Sequence, residues 1–238
     1  ENKRAVGIEM IKDGIKQRIM VNKEVIVSGG SINSPQLLML SGIGPKQYLQ
    51  DLKIPVHADL PVGQNLQDHM MYGLPVQTNV SLSVDVSKAS SLTSILQYFL
   101  FGTGYLTSTA LEGSLFTHTQ KGDKSSYPDI QLHFLSISVN IDLIKKYNPQ
   151  NIDEKTIEEM NLAKDISASF IISPILNHPK SRGSIRLKST DPFEPPLIYP
   201  NYLAHQEDVN VFIEGIRICQ KLVRTRAFQK YGAKDVNP

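Results

Sequence analysis

Apolar and polar positions change their period several times along the 238 residues, and each change marks an element. Residues 5–10 and 15–21 are apolar-rich on either side of Asp13-Gly14. That pair can supply the positive φ angles of a tight turn, so the pattern predicts a hairpin. Val25, Ile26 and Val27 form a short unbroken apolar run, which predicts a third strand at 24–28 covered on both faces. After Gly29 and Gly30, Ser34 can cap a helix, Pro35 fits its first turn, and Gly42 can take the left-handed stop. Prolines at 45, 55 and 61 then break the pattern into a connector that ends in the polar run Gly63-Gln64-Asn65-Leu66-Gln67-Asp68-His69.

Further on, Leu92, Ile95, Leu96 and Phe99 recur at helical spacing before Gly102 and predict an amphipathic helix within 87–100. Residues 129–139 alternate as a strand does, with Ile130, Leu132 and Phe134 on one face and Gln131 and His133 on the other. The charged stretch 152–166 reads as a solvated helix or excursion. Ser173-Pro174 and His178-Pro179 read as turns, residues 183–187 as a strand and 191–200 as a proline-punctuated loop. Val209, Phe212, Ile216, Cys219 and Val223 form the clearest helical stripe, whose place is in a core.

Composition narrows the classes. A hydrophobic content of 40% is enough for a packed core, and the net charge of +2 argues against nucleic acid and anionic membranes as partners. No apolar run is long enough for a membrane span. The lone Cys219 rules out an internal disulfide framework. The chain opens on Glu-Asn-Lys-Arg with no methionine and no signal-like segment, which is how a chain beginning mid-protein reads. Asn79-Val80-Ser81 is compatible with a secreted protein, although such triplets arise often by chance.

Candidate chemistry is sparse. The six histidines are dispersed with no metal-ligand spacing, so no metal site is expected. Gly-x-Ser-x-Gly, the phosphate-loop motif and Gly-x-Gly-x-x-Gly are all missing; Gly102-Thr103-Gly104 lacks the third glycine and follows a helical pattern. The glycines of the 29–44 stretch GGSINSPQLLMLSGIG leave bare backbone between strand and helix. Either a ligand approaches there or strand and helix pack closely, and the residues alone leave both open.

The 30–44 stretch resembles, at every specified position, the second signature of the glucose-methanol-choline oxidoreductases, a family of FAD enzymes. The resemblance continues in KEVIVS before it, in LPVGQNLQDH at 60–69, and in SRGSIRL and PNYL at 181–187 and 200–203. It is weakest between about residues 79 and 173. Where insect-type dehydrogenases of the family show Gly-x-Gly-Pro-Leu-Thr-Ser, this chain has Gly102-Thr103-Gly104-Tyr105-Leu106-Thr107-Ser108 and loses the proline.

The resemblance implies an α+β (mixed α/β) fold: a partial FAD-binding Rossmann-like domain at 1–73, an antiparallel-sheet substrate-binding segment at 74–173, and the start of the family's C-terminal region at 174–238. It makes Ser28, Gly29, Gly30 and Ser31 the cofactor candidates, with FAD as cofactor and a small-molecule alcohol or sugar as substrate. The implied reaction is oxidation of a CH–OH group by hydride transfer to the flavin, with the base histidine outside this chain. No residue here matches the catalytic pair, and His69 and His133 read as structural. The alternative is a catalytically inactive relative that serves as a binding or structural protein.

Overall fold

The computed structural model describes residues 4–80, 83–84, 86–120, 122, 127–137 and 169–235. In chain order its elements begin with β1 (Gly7–Lys12), β2 (Ile15–Met20), α1 (Gly30–Leu40), β3 (Ile43–Gly44), α2 (Lys46–Asp51), β4 (Ala58–Asp59) and β5 (Gln64–Leu66). Next come β6 (Leu74–Gln77), α3 (Val86–Ala89), α4 (Leu92–Phe101), β7 (Leu111–Thr117), β8 (Ile130–Leu135) and β9 (Ser169–Leu176). The last are β10 (Gly183–Arg186), β11 (Leu197–Tyr199), α5 (Gln206–Val223), α6 (Arg226–Gln229) and β12 (Lys234–Asp235). The charged stretch 152–166 lies outside the described residues. The chain divides into two units, one of Glu1–Asp68 with Ser181–Tyr202, the other of His69–Lys180 with Leu203–Pro238.

In the first unit β1 and β2 form the expected hairpin, with φ of 52° at Asp13 and 76° at Gly14. The strand expected at 24–28 is absent: the segment has no regular structure and pairs with none of the described strands, and Ile26 is 78% exposed. Three apolar residues in a row are not a strand until a neighbour supplies a ladder, and none of the described residues does so. Helix α1 starts at Gly30, four residues before the expected Ser34 cap, and holds Pro35 in its interior. Gly42 stops it at φ +81°, where a Cβ would lie 2.3 Å from the Pro55 carbonyl oxygen.

Residues 181–202 return to this unit as β10 and β11, which extend β5 into an antiparallel sheet ordered β11-β10-β5. Within the expected proline loop, Leu197–Tyr199 pairs with β10. Met39, Leu49, Ile54, Ile185 and Leu187 form the core between α1, α2 and β10. The Arg186 guanidinium lies 6.0 Å from the Tyr48 ring and 5.9 Å from the Tyr199 ring, bracing β10 from both sides. The Tyr48 hydroxyl donates to the Leu187 carbonyl at 2.6 Å.

In the second unit a five-stranded antiparallel sheet runs β12-β6-β9-β8-β7. Helix α5 covers one face. Ile130, Leu132, Phe170, Ile172, Val211, Phe212, Cys219 and Val223 are all buried in the core there. Gly215 permits the close approach, since a Cβ would lie 2.9 Å from Ile130 Cδ1. Phe170 stacks obliquely with Phe134 and Phe228 at 4.8 and 5.3 Å between centroids. The start of α5 is held by Asp208, 2% exposed, whose carboxylate accepts the Lys180 backbone N–H at 2.8 Å. Ser173-Pro174, expected as a turn, lies inside β9. The proline is tolerated because it faces Tyr72, just before β6, whose N–H still donates to the Pro174 carbonyl at 3.2 Å, so only the return bond from the missing N–H is lost.

Candidate functional site: the Gly29-Gly30 turn and its cavity

Residues 21–29 lead to α1 without regular structure, and Ser28, Gly29, Gly30 and Ser31 are all exposed. Gly30 has φ +80°, and a Cβ there would meet nothing within 4 Å. Crowding therefore does not require this glycine; the left-handed backbone and the open space above it are what glycine provides. Gly29, at φ −80° and ψ 7°, caps α1 without a side-chain hydrogen bond, and the first turn holds no acidic residue. The first N–H groups of the helix consequently keep their donor capacity at its positive end. Pro35 has no N–H, so the Ser31 carbonyl lacks its usual donor four residues along.

Of the four candidates, Ser31 lines a cavity of about 280 Å³ together with Pro35, Gly63, Gln64, Asn65, Leu66, Gln67 and Ile185. Ser28, Gly29 and Gly30 are not among its lining residues. None of the eight lining residues is charged, and their polar side chains are a hydroxyl and three carboxamides. Such a set can hold a polar ligand by hydrogen bonds but offers neither nucleophile nor acid–base pair.

The Gly63–Gln67 wall reads as a connector in the sequence, yet it is positioned by specific backbone chemistry. Gly63 has φ +80°, and a Cβ would lie 2.2 Å from the Ile185 carbonyl oxygen. Its own carbonyl accepts the Ile185 N–H at 2.6 Å. Asn65 sits at φ 63° and accepts the Arg182 Nε–H at 2.9 Å, while Asn201 Nδ2 donates to the Arg182 carbonyl at 3.0 Å. The Tyr202 hydroxyl donates to the Asp68 carboxylate, and that bond raises the phenol's pKa. The signal that could have found this wall was the Gly-Gln-Asn triplet, whose first and third residues both tolerate positive φ.

No group of histidine, cysteine or carboxylate side chains suited to a metal occurs among the described residues. The buried Cys219 thiol is pushed up to about 12 by desolvation. No helix among the described residues is long and apolar enough to cross a membrane.

Two family models match, both of GMC oxidoreductases: the N-terminal one over residues 1–71 and the C-terminal one over residues 179–238. The chain belongs to the GMC oxidoreductase family. It is 34% identical over 235 residues to a glucose dehydrogenase [FAD, quinone] of Drosophila pseudoobscura pseudoobscura, covering 98% of this chain and 35% of that protein. It is 37% identical over 241 residues to an oxygen-dependent choline dehydrogenase of Sinorhizobium medicae, covering 100% of this chain and 40% of the relative. The chain thus spans between a third and two fifths of the length of these relatives. Among solved structures, a formate oxidase of Aspergillus oryzae RIB40 superposes with a TM-score of 0.73 at 24% identity, over 98% of this chain and 43% of the other. The mixed α/β architecture with antiparallel sheets is shared with this family.

Proposed function

We propose that this chain is part of an FAD-dependent oxidoreductase that oxidises a CH–OH group of a small alcohol or sugar, with Ser28, Gly29, Gly30 and Ser31 on the cofactor. One observation carries the reading: an uncapped helix start with bare backbone at Gly30 adjoins a neutral, amide-lined cavity. The residues fit such a group. Free N–H donors at the start of α1 suit phosphate or hydroxyl oxygens, and the Ser31 hydroxyl with the amides of Gln64, Asn65 and Gln67 suits a polar neutral portion. When bound, the flavin supplies the hydride acceptor. The chain's own part is to bind and orient: α1 presents its donors, and Gly30 keeps the approach clear of side chains. The base that takes the hydroxyl proton is assigned to a histidine outside this chain.

The test uses the full-length protein. Gly14 and Gly30 share a left-handed φ and open space around a built Cβ. Gly14→Ala and Gly30→Ala are therefore expected to cost a similar amount of apo-protein stability, about 1 kcal/mol each. Flavin titration is expected to show about one FAD per chain, with affinity reduced at least tenfold by Gly30→Ala and unchanged by Gly14→Ala. Wild-type protein that binds no flavin would instead favour a catalytically inactive binding protein.

A further inference from the structure

Strand β6 ends at Gln77, and the chain bends at Asn79 and Val80 just beyond it. Val76 and Thr78 are buried while Gln77 and Asn79 are exposed, which is the alternation of a strand with one covered face. The backbone around Asn79 is fixed. Its N–H donates to the Tyr231 carbonyl at 2.9 Å, and the Thr78 hydroxyl donates to the Val80 carbonyl at 2.7 Å. An exposed asparagine side chain thus stands at the end of a strand whose backbone is held from both sides.

The Asn79 amide nitrogen lies against Gly232, whose φ is +66°, and a Cβ built there would come within 2.2 Å of that nitrogen. Glycine at this position keeps a side chain out of the space beside the amide. The sequence adds the remaining requirement. Asn79 is followed by Val80, which is not proline, and by the hydroxyl residue Ser81; none of the other twelve asparagines has serine or threonine two positions on. A chance triplet has no reason to fall on an exposed strand end beside bare backbone, whereas an attached glycan, bulky and hydrophilic, needs such a place.

We propose that Asn79 is an N-glycosylation site of the full-length protein. The donor is a lipid-linked diphosphate oligosaccharide of the secretory lumen. A bond forms between Asn79 Nδ2 and the anomeric carbon of the first sugar, and the bond from that carbon to the diphosphate oxygen breaks. The diphosphate leaves with the electron pair, and one of the two amide protons is released. Tyr231 and Gly232 are made long after Asn79, so the amide is open to transfer during synthesis. What the fold contributes is to leave the modified side chain outside once β6 and β12 have paired.

Full-length protein would be expressed in human cells behind a cleavable secretion leader, and the peptide containing Asn79 followed by mass spectrometry. In secreted wild-type protein this peptide is expected to carry a glycan that peptide N-glycosidase F removes, leaving aspartate at the position. The modification is expected to disappear from Asn79→Gln and Ser81→Ala and to persist in Ser81→Thr, which keeps the hydroxyl. Release of the glycan is expected to move the thermal midpoint by less than about 2 °C, as suits a group carried on the surface. An unmodified Asn79 in secreted wild-type protein would overturn the site. So would a glycan found only on misfolded chains retained in the cell, because the folded surface would then not accommodate it. Mass alone reads the modification, so the result stands apart from flavin binding and alcohol oxidation.

Discussion

At the scale of single residues, Gly63 shows how little freedom the cavity wall has. Its φ of +80° and the 2.2 Å distance from a built Cβ to the Ile185 carbonyl oxygen act together, because the backbone that would have to move is part of β10. Gly63→Ala is expected to destabilise the whole protein by about 3 kcal/mol, read from urea denaturation. Cys219 makes a different prediction. Burial raises its thiol to about 12, so folding favours the protonated form. That contribution is complete at pH below the unfolded thiol's value of about 8.5 and is lost as pH rises from there towards the folded value. Thermal midpoints should therefore decline above about pH 9, and Cys219→Ala should flatten the decline between pH 8.5 and 10. The same thiol should resist alkylation at pH 8 until the protein unfolds.

At the scale of elements, what could be read in the sequence was whatever a short stretch determines for itself. The β1–β2 hairpin follows from two positive-φ residues, Asp13 and Gly14. The face of β8 follows from the alternation of Ile130, Leu132 and Phe134 with Gln131 and His133, and α5 from its stripe ending at Cys219 and Val223. Elements that depend on distant partners were read less well. Val25-Ile26-Val27 has strand composition but no ladder among the described residues, and Leu197–Tyr199 became a strand through pairing with β10 despite the prolines that flank it. The helix start moved from Ser34 to Gly30 because Pro35 removes one donor without preventing the turn before it. Of the candidate site, the glycine turn was legible, whereas its companion wall at Gly63–Gln67 was not. Only the pairing of β5 with β10 turns that polar run from a connector into one side of a cavity.

At the scale of the molecule, large apolar side chains stand exposed on both units, among them Ile26 at 78%, Phe99 at 77% and Phe101 at 74%. Surface of this kind associates. The 238-residue chain produced alone is expected to self-associate as its concentration is raised through the micromolar range, as followed by light scattering, and a monomer throughout would contradict the exposure seen here. The pairing of β5 with β10 also sets an order of events during synthesis. The first unit cannot close its sheet until residues 182 and beyond have been made, because Asn65 waits for Arg182, 117 residues later. At about 5–20 residues per second that wait lasts roughly 6–23 s. Throughout it α1 and α2 lack Ile185 and Leu187, the β10 side of their core, while the second unit's strands β6 to β9 are made.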